Sequence, residues 1–156
     1  MIQFAAALAV GLISNGVGQG FDQHDDEPTA KATANWINDY RGGIGGHPIT
    51  IVTCEDKGDP SKAADCANEL IRQDVVAVVY SSNGVFEASW RPLSAAGIPT
   101  FIQAVTGQDS VKEPTNTFTI QNGLASTVDG PIDLATDVKS EAVSYTHLTL
   151  PTTERV

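Results

Sequence analysis

A doubly wound α/β domain, three layers with a parallel sheet between helices, is the fold class this sequence predicts. Two patterns point to it. Short β-rich runs alternate with helix-length amphipathic runs, joined by short connections. "VVAVVY" (75–80) is apolar throughout, as a central parallel strand covered on both faces would be. The size agrees, since 156 residues make one domain with a sizeable core.

Each element follows from local chemistry. "ALAVGLIS" (7–14) reads as a buried strand, followed by a Gly-rich and then acidic loop, "NGVGQGFDQHDDE". Pro28 stands where a first helical turn would start, with Asp26 and Glu27 favourably placed against the helix dipole. A helix through "TAKATANWINDY" puts Ala30, Ala34, Ile37 and Arg41 near one face, and "RGGIGG" stops it. "HPITIVTC" is a β-branched strand. In "GDPSKAADCANELIRQ", Asp59 is placed to N-cap a helix with Pro60 at its first position, and Ala63, Cys66, Ala67, Leu70 and Ile71 recur at helical spacing. "GVFEASWRPLSAA" reads as a helix kinked at Pro92, "GIPTFIQA" and "NTFTIQ" as two more strands, and "LASTVDGPIDLATD" as weakly helical.

Composition narrows the partners. A formal net charge of −10 repels nucleic acid and anionic membrane surfaces. No apolar run approaches the ~20 residues of a membrane span. The start, "MIQFAAALAVGLIS", is apolar but has neither a basic n-region nor a clean small-residue cleavage site. It reads as a first strand, with no clear signal sequence. From about Lys139 the periodicity fails. "VSYTHLTLPTTERV" closes no element and resembles a translated sequencing-library adapter, so residues 139–156 are set apart as a non-native or disordered tail, and Tyr145 and His147 are excluded from any site.

In a doubly wound sheet, ligands sit beyond the carboxyl ends of the strands. The functional addresses are therefore the loops 15–26, 54–59, 81–84 and 104–110, with 121–124 beyond. "GVGQG" (16–20) looks like half a dinucleotide fingerprint, but the third glycine position counted from Gly16 is Phe21. Asp22, Asp25, Asp26 and Glu27 then follow and would repel a diphosphate. "DQHDDE" offers Asp22, His24, Asp25 and Asp26 as metal ligands, yet sequential neighbours cannot all converge on one ion, and a solvated acidic loop is the better reading. Ser81 and Ser82 follow a strand, but there is no G-x-S-x-G elbow and neither His24 nor His47 is an evident base. The better use of Ser81, Ser82 and Asn83 is to hold a carboxylate by hydroxyls and backbone N–H groups at a helix start, a role compatible with N-capping by Ser82 or Asn83. "QAVTGQD" (103–109) offers Thr106 in the same manner after the next strand.

With these loops placed, "WINDYRGGIGGHPITIVTCEDKGDPSKAADCANELIRQDVVAVV" and the following "AAGIPTF" closely resemble the amino-terminal lobe of type I periplasmic solute-binding proteins. The likeness is to the leucine/isoleucine/valine-binding branch that serves ABC importers, and it runs from about Ala9 to Asp137. It is carried by "GGIGG-P-I" after the first helix, "GDP-KAA" opening the second and "AGIP" entering the fourth strand. The resemblance implies a two-lobed extracytoplasmic receptor, periplasmic or lipoprotein-anchored at the cell surface. Such a receptor closes on a small solute and delivers it to an ABC permease, with no catalysis and no cofactor. On that likeness residues 1–138 are one lobe, about a third to a half of the expected chain. Carried over by position, the ligand contacts fall on Ser82 and Asn83 in one loop, and on the Ala104 carbonyl and Thr106 in the next. Thr106 matches a family threonine directly, whereas Asn83 stands where many relatives have Ser. An acidic residue often found in the family after the fifth strand falls near Leu124 here, which counts against the ammonium contact and makes an amide, a short-chain acid or a urea-like ligand more credible.

The resemblance also bears on the two cysteines. Cys54 ends a strand and Cys66 lies on the inward face of the helix beside it. An exported receptor folds in an oxidising compartment, so a disulfide is expected, against the alternative of two small thiols filling core. Two rival functions share the fold class: a ligand-sensing domain of a related receptor or amide sensor, and a nucleotide-using flavodoxin-like enzyme domain, the latter opposed by the acidic first loop.

Overall fold

A computed structural model describes residues 6–18, 21–103, 107–112, 114–121 and 130–138. Ala104, Thr106, Leu124, Gly20 and the 139–156 tail, on which expectations above fall, lie outside the described residues. In chain order the elements are β1 (Leu8–Ser14), β2 (Val17–Gly18), β3 (Phe21–Asp22), α1 (Asp26–Arg41), β4 (Ile49–Glu55), α2 (Pro60–Arg72), β5 (Ala77–Val79), α3 (Phe86–Ala95), β6 (Thr100–Ile102), α4 (Gln108–Lys112) and β7 (Thr117–Thr119). Helical residues from 130 end in a π-helix over Leu134–Val138.

Five strands form one sheet in the order β4-β1-β5-β6-β7, parallel throughout. The chain leaves β1 for β4 on one side, then returns past β1 to β5 on the other. That reversal makes the sheet doubly wound and puts its switch point between β1 and β5. β2 and β3 pair as a short antiparallel ribbon inside the acidic loop.

The helices form where their termini predict. Asp59 caps α2, its Oδ1 accepting from Ser61 N at 2.8 Å and Lys62 N at 3.2 Å, with Pro60 at the first position. Ala63, Cys66, Ala67 and Leu70 are buried on its inner face, and Gly11 of β1 allows the close approach: a Cβ there would meet Leu70 Cδ1 at 2.8 Å. α1 starts at Asp26, two residues before Pro28, which is tolerated within the first turn because no intrahelical N–H bond is lost there. It ends at Gly42, whose φ of 69° suits a residue without a Cβ. Asn38 clamps α1 to β4, accepting from Ile49 N at 2.7 Å and donating to Ile49 O at 2.8 Å.

One face of the sheet carries the core. Ile13, Val78, Tyr80 and Ile102 pack there with Cys66, Ala67 and Leu70 of α2 and with Phe86, Trp90 and Leu93 of α3. Trp90 also donates its indole N–H to Thr117 Oγ1 at 2.7 Å, tying α3 to β7. The other face differs from expectation. α1 packs on β4 and β1, and toward β6 and β7 this face opens to solvent. The register row Leu12, Val79, Phe101, Phe118 crosses the sheet there. Exposure rises along it from 4% at Leu12 to 42% at Phe101 and 50% at Phe118, whose rings stack at 4.8 Å. "VVAVVY" is thus covered fully on one face only, and its strand proper is Ala77–Val79.

Candidate functional site

The switch point brings the carboxyl ends of β1 and β5 side by side, and the polar residues of three loops meet there. Asp26, at the start of α1, turns inward. Its Oδ2 accepts from Ser14 Oγ at 2.8 Å and from Ser81 Oγ at 2.7 Å, bridging the two strand ends. Gln23 makes a second bridge, accepting from Asn15 N at 2.8 Å and donating to Ser82 O at 2.8 Å. Beside this bridge lies a cleft of about 270 Å³ between α1 and β5, lined by Leu12, Ala30 and Val79 below and by Asp25, Asp26 and Ser81 at the rim.

Of the residues expected to touch ligand, Ser82 is exposed at the tip of the loop between β5 and α3. Asn83 is buried, 6% exposed, and both ends of its amide are engaged: Nδ2 donates to Asp56 Oδ2 at 2.6 Å, and Oδ1 accepts from Val85 N at 2.9 Å. Neither Ser82 nor Asn83 is an N-cap. Val85 holds that position without a side-chain cap, and Asn83 closes a turn onto its N–H instead. Ala104 and Thr106 fall outside the described residues. Gly107 just past them lies against Glu87, whose Oε1 accepts from Ser110 N at 3.0 Å and Ser110 Oγ at 2.6 Å.

The loop after β4 belongs to the same end of the sheet. Asp56 is fully buried and its backbone N–H donates to Ser14 O at 3.0 Å. Just before it, Cys54 and Cys66 form a disulfide with their Cα atoms 5.6 Å apart, linking the end of β4 to α2. Tyr80 follows β5 with its hydroxyl donating to Ser89 Oγ at 2.9 Å, and burial pushes its pKa well above the usual phenol range.

The acidic loop divides in two. Asp22, His24 and Asp25 remain outside as an exposed ion-pair group, while Asp26 is part of the interior network. Among the described residues no group of three or more His, Cys, Asp or Glu side chains is arranged to hold a metal. Val17–Gly18 of the glycine-rich stretch pair with Phe21–Asp22 in the β2–β3 ribbon, ahead of α1. Sequence reasoning missed Asp56, Gln23 and the inward role of Asp26. For Asp56 the only sequence signal was "DKGD", a turn pattern that shows where the chain reverses but not that its Asp is buried.

A family profile described as periplasmic binding protein matches residues 11–142. The chain belongs to the periplasmic binding protein family. No curated protein matches it. Among solved structures it is similar to the branched-chain amino acid transporter substrate-binding protein LivJ of Streptococcus pneumoniae, determined with isoleucine. That match has 23% identity and a TM-score of 0.61, and covers 72% of this chain and 33% of that one. It is similar to a putative branched-chain amino acid ABC transporter protein of Silicibacter pomeroyi, at 20% identity and a TM-score of 0.71, covering 86% of this chain and 36% of the other. It is also similar to an ABC-transporter solute-binding protein of Rhodopseudomonas palustris solved with 3,4-dihydroxybenzoic acid. There the identity is 21% and the TM-score 0.63, covering 85% and 36%. At these identities the likeness is one of fold. This chain spans about a third of the length of each.

Proposed function

We propose that this chain is the amino-terminal lobe of an extracytoplasmic solute receptor that serves an ABC permease. It binds without catalysis, holding a branched-chain amino acid or a similar small carboxylate between this lobe and a second one. The observation that carries the reading is the loop between β5 and α3. It sits at the switch point of a periplasmic-binding-protein sheet and presents an exposed Ser82 beyond a network that fixes its base. Such a loop holds a carboxylate by hydroxyl and N–H groups without a cation. A carboxylate is also what isoleucine and 3,4-dihydroxybenzoate, bound by two proteins of similar fold, have in common. The contacts are Ser82 and Asn83 in this loop, the latter through its backbone, and Ala104 and Thr106 in the next. No helix among the described residues is long and apolar enough to cross a membrane.

The test is calorimetry with isoleucine on the complete receptor. Thr106→Ala is expected to weaken binding by about 1–3 kcal/mol, the cost of leaving a buried ligand group unpaired. Asn83→Ala should weaken binding by a similar amount, because it releases the side-chain bonds to Asp56 and Val85 that hold this loop. Asp25→Ala, at the rim, should do almost nothing. Binding abolished by Asp25→Ala and untouched by Thr106→Ala would move the site to the acidic loop.

A further inference from the structure

Asp56 is the only acidic side chain buried among the described residues, and no Lys, Arg or His there pairs with it. A buried carboxylate without a cation must be held by hydrogen bonds. Two side-chain contacts hold this one. Gly58 N donates to Oδ1 at 2.9 Å, inside a turn closed by Asp59 N to Asp56 O at 3.0 Å. The central residues of that turn, Lys57 and Gly58, both have positive φ, 56° and 71°. Asn83 Nδ2 donates to Oδ2 at 2.6 Å, while Asn83 Oδ1 accepts from Val85 N at 2.9 Å.

These bonds form one chain whose donors converge on Asp56: Val85 N–H donates to Asn83, and Asn83 and Gly58 N–H both donate to Asp56. An Asn at position 56 would serve the Gly58 turn equally well. Only the second oxygen, the one facing Asn83, requires an acid. An Asn there would point its NH₂ at that of Asn83, and turning the Asn83 amide to relieve the clash would set a donor against Val85 N–H. The acid is therefore explained by the loop after β5, not by its own turn.

We propose that Asp56 is a positioning residue for that loop: its carboxylate fixes the orientation of the Asn83 amide, which sets residues 83–85 and presents Ser82 outward. This rests on the solute-binding reading for the use of the loop, while the conformational claim stands on the contacts above.

Exchanging the partners tests it. In Asp56→Asn combined with Asn83→Asp every hydrogen bond of the chain can form again. The amide now at position 56 accepts from Gly58 N and donates to the carboxylate now at position 83, which accepts from Val85 N. Amide hydrogen exchange is followed by NMR on the 156-residue chain, with the core Val78 amide as internal reference. D56N alone should lower the protection of Val85 N–H relative to Val78 by about tenfold, the size of one lost buried hydrogen bond. N83D alone should lower it comparably, because two carboxylates then face each other and push residues 83–85 out of place. The exchanged pair should restore it to within about threefold of the original, a tolerance set by the usual context dependence of such bonds. Unchanged Val85 protection in D56N would overturn the proposal, and so would an exchanged pair that fails to restore it or fails to fold. Should D56N alone fail to fold, the exchanged pair still decides.

Titration with L-isoleucine forms a separate arm. D56N should weaken the shift response of the loop amides by about tenfold and the exchanged pair should recover it, if the loop geometry governs contact. Binding by D56N equal to that of the original chain would count against the proposal. No isoleucine response at Ser82 in the original chain would instead remove the solute-binding reading, with the exchange result deciding Asp56 by itself.

Discussion

His24 stands between two carboxylates, its Nδ1 2.6 Å from Asp22 Oδ1 and its Nε2 3.2 Å from Asp25 Oδ1. The hydrogen bond to Asp22 raises its pKa above the ordinary value near 6.5, with the charges of Asp22 and Asp25 adding to it, and Asp22 is lowered in turn. A group whose folded pKa lies above its unfolded one stabilises the fold when protonated. That contribution is complete below pH ~6.5 and is lost as pH rises through the folded midpoint. All three side chains are exposed, so the effect belongs to the titration rather than to the stability of the domain. Following the His24 ring protons by NMR should give a midpoint above 6.5, and Asp22→Asn should lower it. A midpoint that ignores that substitution would show that the pair does not persist in solution. The same loop shows what single residues reveal and conceal. "DQHDDE" is legible as an acidic, solvated segment, and three of its side chains are that. The inward turn of Asp26 is not legible, because it depends on Ser14 and Ser81, the latter 55 positions away.

At the scale of elements, the disulfide joins β4 to α2 across 12 positions, with Cys66 buried and Cys54 half-buried. Closing a loop of that length removes entropy from the unfolded chain worth about 3 kcal/mol. Replacing both cysteines by serine should lower the unfolding free energy in urea by up to that amount while leaving the far-UV circular dichroism unchanged. Alkylation of the native protein followed by mass spectrometry should find no free thiol. Two alkylated cysteines in protein from an oxidising compartment would set the bond aside. Most elements were legible because each carries its own boundary chemistry, Asp59 and Pro60 at one start and Gly42 at one end. The cover of the sheet was not. An unbroken run such as "VVAVVY" records that a strand is apolar on both sides, but which helix lies over which side is decided by topology. Here α1 goes to β4 and β1 and leaves Phe101 and Phe118 half-exposed. The loop after β5 was legible as an address and only partly as chemistry, since Asn83 meets Asp56 across 27 positions.

For the whole molecule, the decisive quantities are the share of the fold present and the geometry of its open end. The chain spans 33% to 36% of the length of the three solved structures named above. Its cleft beside Ser81 is shallow and open, between one helix and one strand end. Tight ligand sites bury most of the ligand's surface and exclude water from its polar contacts. A single lobe supplies one wall, so each hydrogen bond it offers competes with solvent and gains little. On the proposed reading, this chain should therefore bind leucine, isoleucine or valine no more tightly than about 1 mM, which corresponds to roughly 4 kcal/mol. Shift perturbations should be confined to Ser14 and Asn15 at the end of β1 and to the loops at the carboxyl ends of β5 and β6. NMR titration of the 156-residue chain reads both affinity and location. Micromolar binding would mean that this lobe holds a complete pocket by itself, and perturbations centred on the β2–β3 ribbon would place that pocket away from the switch point.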